Sequence, residues 1–128
     1  MEIYTLTILF PYNEDDEPWS KTVEVEENFT LLELHNYIQE LVEFDDDHMY
    51  KFFVGRTPRN EAYTVPKKTK LNEIYPLNGQ KLYYLFDFGD SWLFEFRKSR
   101  KKKFKENKTY PVLIESSGVN PEQYPEYE

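Results

Sequence analysis

The chain has 128 residues, a formal charge of −8, 39% hydrophobic and 18% aromatic residues, and no cysteine. That is one domain's worth of chain with enough apolar surface to fold, which excludes both a disordered acidic polymer and a two-lobed enzyme. The missing thiols exclude disulfide frameworks, thiolate metal sites and cysteine nucleophiles. With no leader and no apolar run of about 18 residues, neither secretion nor membrane spanning is indicated, and a cytoplasmic location is expected.

In chain order, EIYTLTILF from Glu2 and KTVEVE from Lys21 read as two strands, the second placing Val23 and Val25 on one side and Glu24 and Glu26 on the other. The polar, proline-flanked PYNEDDEPW between them is a loop. Thr30 followed by Glu33 matches a capping box, and Leu34, Tyr37, Ile38, Leu41 and Val42 repeat at helical spacing, so a helix is predicted from about Leu31 to Glu43. After Asp45–Asp47, HMYKFFVG reads as a strand and RTPRNEAYTVPKKTK as a loop. LNEIYP is one helical turn, YYLFDFGDSWLFEF is a hairpin and YPVLIE is a last strand. The expectation is an α+β fold, a mixed or antiparallel sheet on one main helix, with a β-grasp-like first half followed by an aromatic β-hairpin. A single domain over 1–115 and a surface or disordered tail over 116–128 complete it.

The hairpin spells Asp-Phe-Gly at Asp87–Gly89, the kinase magnesium motif, but the glycine-rich loop, strand lysine and catalytic loop that a kinase needs are absent. With Gly89-Asp90 as a two-residue turn, Asp87 pairs with Trp92, Phe86 with Leu93 and Leu85 with Phe94. Asp87 then shares a face with Trp92 and accepts from turn amides or from the Trp92 ring nitrogen.

His35 and His48, the only histidines, join Asp87, Asp90 and Trp92 as the candidate functional cluster. With Asp45, Asp46 and Asp47 they offer nitrogen and oxygen ligands for a metal-dependent hydrolase, but they lie in different elements without a diagnostic spacing. The reading assigns no metal, no cofactor and no catalytic residue. Charge gives a second candidate. Arg97–Lys108 holds eight of the 16 basic residues and one of the 24 acids, a local +7 that leaves −15 on the remainder. Arg97, Lys98, Arg100, Lys101, Lys102, Lys103 and Lys105 are therefore expected to project as a polyanion-facing surface. A protein partner is expected, with nucleic acid as the alternative. A third reading makes the acidic body a decoy in a nucleic-acid-binding partner's site.

Pro18, Trp19, Leu31, Leu34, His35, Gln39, Phe44, Asp46, His48 and Phe52, with Tyr84, Asp87–Asp90 and Trp92, form a pattern that resembles the plasmid pRiA4b open-reading-frame-three-like family. Ser20, Phe44 and Phe94 stand where that pattern has Arg, Trp and His, and its C-terminal block survives at most as NPEQYPEYE from Asn120. The resemblance implies a plasmid- or mobile-element-associated protein without a named biochemical activity; with no nucleophile elbow, Walker or glycine-rich loop in the sequence, a non-catalytic binding module is the expectation and a metal-dependent hydrolase the alternative.

Overall fold

In the computed structural model, described for residues 1–12 and 16–124, the chain runs β1 (Glu2–Leu9), β2 (Ser20–Glu26), α1 (Leu31–Val42), β3 (Tyr50–Gly55), β4 (Glu61–Val65), α2 (Leu71–Ile74), β5 (Lys81–Phe86), β6 (Trp92–Lys98), β7 (Lys103–Phe104) and β8 (Val112–Ser117). The sheet order is β4-β3-β5-β6-β1-β2-β8, with β7 pairing β1 beside β6. Every ladder is antiparallel. The fold class is α+β.

Alternation explains which face is covered. Tyr4, Leu6 and Ile8 oppose Val25, Val23 and Lys21, and their apolar side chains join Leu34, Ile38 and Val42 of α1 in one core. The helix begins where its sequence says. Thr30 Oγ1 accepts from the Glu33 amide at 3.2 Å, and Glu33 Oε1 accepts from the Thr30 amide at 3.1 Å. It ends at Glu43, whose φ of 60° is the left-handed turn that stops helices.

Three expectations are corrected. The hairpin pairs Phe86 with Trp92, Leu85 with Leu93 and Tyr84 with Phe94, one residue away from the two-residue-turn register. Leu82, Tyr84, Phe86, Trp92, Phe94 and Phe96 therefore face the core, while Tyr83, Leu85, Leu93 and Glu95 face the other side. The loop is Asp87–Ser91, with φ of 60° at Asp87 and 57° at Ser91, closed by the Ser91 amide donating to the Asp87 carbonyl at 2.6 Å. Second, the loop expected after Gly55 contains β4, an edge strand with four of its five residues exposed.

Third, the basic segment does not project. β6 lies between β5 and β1, the Ser99 amide donates to the Thr5 carbonyl at 2.9 Å, and β7 continues along β1 before the chain reaches β8 on the far side of β2. Residues 99–111 thus form a strap that follows the edge of β1 through β7 and then crosses to the far side of β2, with Lys103 and Lys108 reaching Glu24 of β2. The boundary expected at 115 falls inside β8, and residues 119–124 turn back onto the body. Residues 125–128 of the expected tail lie outside the described residues.

Candidate functional site

The acidic loop 45–47, the start of β3 and the hairpin loop meet at one end of α1. His35 is 1% exposed, and both its ring nitrogens are engaged: Nδ1 lies 2.5 Å from the Tyr84 hydroxyl and Nε2 3.0 Å from Asp46 Oδ2. With the proton on Nε2, Asp46 accepts it and Nδ1 accepts the Tyr84 O–H, while the Tyr84 oxygen accepts from Gln39 Nε2 at 2.9 Å. The imidazole also stacks on Tyr50, with ring centroids 3.6 Å apart. Burial pushes the Tyr84 hydroxyl well above the usual phenol range, so it stays protonated as the donor.

His48 belongs to a separate group. Its Nε2 lies 2.7 Å from the Tyr124 hydroxyl and 3.4 Å from both Asp47 Oδ1 and Asp87 Oδ2. Tyr124 donates to Asp47 Oδ2 at 2.8 Å, and this bond first, with burial and the surrounding aspartates behind it, pushes its hydroxyl up to about 12. The two histidines approach the Phe86 ring, at centroid distances of 6.2 and 5.8 Å, and Phe86 lies beside both polar groups.

The hairpin residues divide further. Asp87 Oδ1 accepts from the amides of Gly89 at 3.0 Å and Asp90 at 3.3 Å, so Asp90 contributes its backbone rather than its carboxylate. Trp92 turns from the histidines to Phe44 and Phe10, with centroid distances of 5.0 and 6.2 Å. Its Nε1 is buried without a hydrogen-bond partner among the described residues, so of the two donors expected for Asp87 it is the turn amides that serve. Among the described residues no three His, Asp or Glu side chains gather as a set of metal ligands.

Beside this end of the molecule lies an aromatic cleft of about 730 Å³, lined by Phe10, Tyr12, Trp19, Trp92, Leu93 and Pro121 among others, with Asp16 and Glu17 on its wall. Phe10 and Trp19 pack at 4.8 Å, and Phe10 and Phe94 also at 4.8 Å, giving the cleft a rigid apolar floor. The Trp19 ring nitrogen donates to Asn120 Oδ1 at 2.8 Å, and Asn120 Nδ2 donates to the Leu41 carbonyl at 3.0 Å. Gln123 Oε1 accepts from the Asp45 amide at 2.6 Å, and its Nε2 donates to the Asp45 carbonyl at 3.0 Å. Sequence reasoning missed Asn120, Gln123 and Tyr124 as members of this region. The one available signal was the Asn-Pro-Glu-Gln-Tyr remnant of the family's terminal block.

The basic residues are unequally free. Lys103 and Lys108 reach the Glu24 carboxylate at 2.8 Å each, Lys105 reaches Glu26 at 3.2 Å and Arg97 reaches Glu95 at 2.8 Å. Lys98, Arg100, Lys101 and Lys102 have no carboxylate within 4.0 Å among the described residues.

A family model described as plasmid pRiA4b ORF-3-like protein matches residues 2–124. A protein of unknown function, MM3350 from Methanosarcina mazei Go1, has a crystal structure similar to this chain, with a TM-score of 0.75 at 24% identity over 90% of this chain and 69% of that one. That likeness concerns the fold alone. Among curated proteins there is no match. No helix among the described residues is long and apolar enough to cross a membrane.

Proposed function

The chain belongs to the plasmid pRiA4b ORF-3-like family, a family of uncharacterised plasmid proteins, and from that premise we propose that it is a non-catalytic interaction module of a mobile-element-associated protein, which receives a basic, aliphatic segment of a partner protein in its aromatic cleft. The observation that carries this reading is the cleft between Trp19 and Trp92, apolar on its floor, acidic at Asp16 and Glu17, and set in a body whose charge outside Arg97–Lys108 is −15. Aromatic side chains in a concavity supply contact area at low entropic cost, and the opposite charge of the partner supplies steering and register. The bonds of the polar candidates favour binding over catalysis. His35 spends both nitrogens inside the fold, which leaves it no free acid or base for a substrate, while buried Asp87 ties its own loop through Oδ1 and turns Oδ2 toward His48.

Both tryptophans of the chain line this cleft, so intrinsic tryptophan emission reports on it directly. Titration with synthetic peptides alternating Arg or Lys with Leu should shift that emission, and the double substitution Asp16→Asn with Glu17→Gln should weaken binding about fivefold to tenfold, as two rim charges would. The same peptides with Glu in place of the basic residues should leave emission unchanged. Equal response to the acidic peptides, or none to the basic ones, refutes the reading.

A further inference from the structure

A second concavity, of about 540 Å³, opens where the ends of β1 and β6 meet the loop before β5. Lys81, Arg97, Lys98 and Arg100 stand on its wall, and Glu2 is the one carboxylate among its lining residues. On a chain of charge −8, four cations around one cleft are a concentration of positive potential against the prevailing sign. Low-dielectric walls focus such a field, and the acidic remainder repels an anion from other faces.

The cations differ in how much charge they have left. Lys81 and Arg97 share Glu95, at 3.6 and 2.8 Å. Lys98 Nζ sits 4.5 Å from the Tyr4 ring centroid and 6.0 Å from that of Tyr75, and donates to the Ser99 carbonyl at 3.3 Å. Held on two aromatic faces rather than by a carboxylate, its full charge remains for a ligand. Arg100 is exposed and has no carboxylate within 4.0 Å among the described residues. The later lysines of the segment, Lys103, Lys105 and Lys108, are neutralised on Glu24 and Glu26, so its unspent charge lies on Lys98, Arg100, Lys101 and Lys102, of which Lys98 and Arg100 line this cleft. The same wall carries neutral groups suited to an organic moiety, the partly exposed Tyr75 ring and the amides of Asn78 and Gln80.

We propose that this cleft binds a phosphate ester of nucleotide size, with Lys98 and Arg100 on the phosphate and Tyr75, Asn78 and Gln80 against the organic part. The volume is that of a small-molecule site, and a fork-shaped guanidinium beside a point-charged ammonium is the pairing that phosphate oxygens favour. The proposal stands apart from the aromatic cleft, so either can fail alone.

Calorimetric titration of the full chain at low salt with AMP, adenosine and a ten-nucleotide oligodeoxythymidylate tests it. AMP should bind, and adenosine at least tenfold more weakly. Lys98→Gln with Arg100→Gln should weaken AMP binding at least tenfold, whereas Lys101→Gln with Lys102→Gln should change it less than twofold. Because Lys98 also packs on Tyr4, the exposed Arg100→Gln alone serves as a second variant, with at least threefold weakening and unchanged melting. Oligonucleotide binding tenfold tighter than that of AMP and lost in the Lys98/Arg100 variant supports the site with a nucleotide inside a strand as its source. Oligonucleotide binding no tighter than that of AMP supports it with a free nucleotide. No binding of AMP or oligonucleotide at millimolar concentration overturns the proposal, as does equal binding by the Lys98/Arg100 variant or an equal loss in the Lys101/Lys102 variant.

Discussion

Asp87 has a φ of 60°, a conformation that costs most side chains about 1–2 kcal/mol and that aspartate and asparagine tolerate through their short polar groups. Its two oxygens do different work. Oδ1 holds the amides of Gly89 and Asp90, and Oδ2 lies 3.4 Å from His48, whose side chain is 34% exposed. Asparagine can keep the first role and the backbone conformation, losing only a partly solvated charge contact. Asp87→Asn should therefore lower stability by no more than about 1 kcal/mol, while Asp87→Ala, which strands two amides and strains the turn, should cost about 2–3 kcal/mol. Urea unfolding of the two variants checks the difference, and equal losses would assign the aspartate's worth to its charge. The kinase-like letters at this position are thus the chemistry of a tight five-residue loop.

At the scale of elements, legibility follows how far local pattern decides the structure. Helix α1 was legible because Thr30, Glu33 and a one-sided apolar stripe all point to the same answer. The hairpin was legible as a hairpin but not in register. Apolar residues occupy both faces, so alternation of the kind seen in β2 does not choose between a two-residue and a five-residue loop. Strand β4 was hidden by exposure, and β7 by brevity, since two residues of a lysine-rich run pair with β1 only because β6 has already delivered them there. The division of the histidines between two groups is likewise tertiary, as Tyr84 reaches His35 across 49 residues and Tyr124 reaches His48 across 76.

The strap has its own acid signature. Glu24 is 3% exposed on the outer face, and the hydrogen bonds from Lys103 and Lys108 hold its carboxyl below the usual range of 4.5. A carboxyl depressed in the folded state contributes stability that is present above the unfolded value and lost as pH falls through the folded one. Melting temperature measured downward from about pH 5 should therefore fall less steeply in Glu24→Gln than in the parent chain. At pH 7 the variant should be less stable by about 1 kcal/mol, a modest figure because both lysine tips are half in water. Parallel pH profiles would show that the strap is held by its ladder with β1 rather than by these charges.

Across the whole molecule, residues 119–124 connect parts that are distant in the chain: Trp19 ahead of β2, the end of α1, the acidic loop and His48 near the hairpin turn. That return depends on one residue. Gly118 has a φ of 75°, and a Cβ there would stand 2.8 Å from the Trp19 backbone N and Cα and 2.9 Å from the Glu17 carbonyl oxygen. These are backbone atoms at the entry to β2 and cannot yield as a side-chain tip would. Gly118→Ala thus combines a disfavoured left-handed alanine with a steric clash and should cost about 3 kcal/mol in urea unfolding. Gly79 separates the two effects, since its φ is 90° and a methyl group there would meet nothing within 4 Å, so Gly79→Ala should cost only about 1 kcal/mol. The clash should also loosen the returning segment. Hydrogen exchange at the Asp45 amide, held by Gln123, should accelerate in Gly118→Ala, and tryptophan emission should move to longer wavelength as Trp19 loses Asn120. Neither change is expected for Gly79→Ala. Equal destabilisation of the two variants with unaltered Asp45 exchange would mean that the segment docks by its own contacts, whatever the geometry of the turn at Gly118.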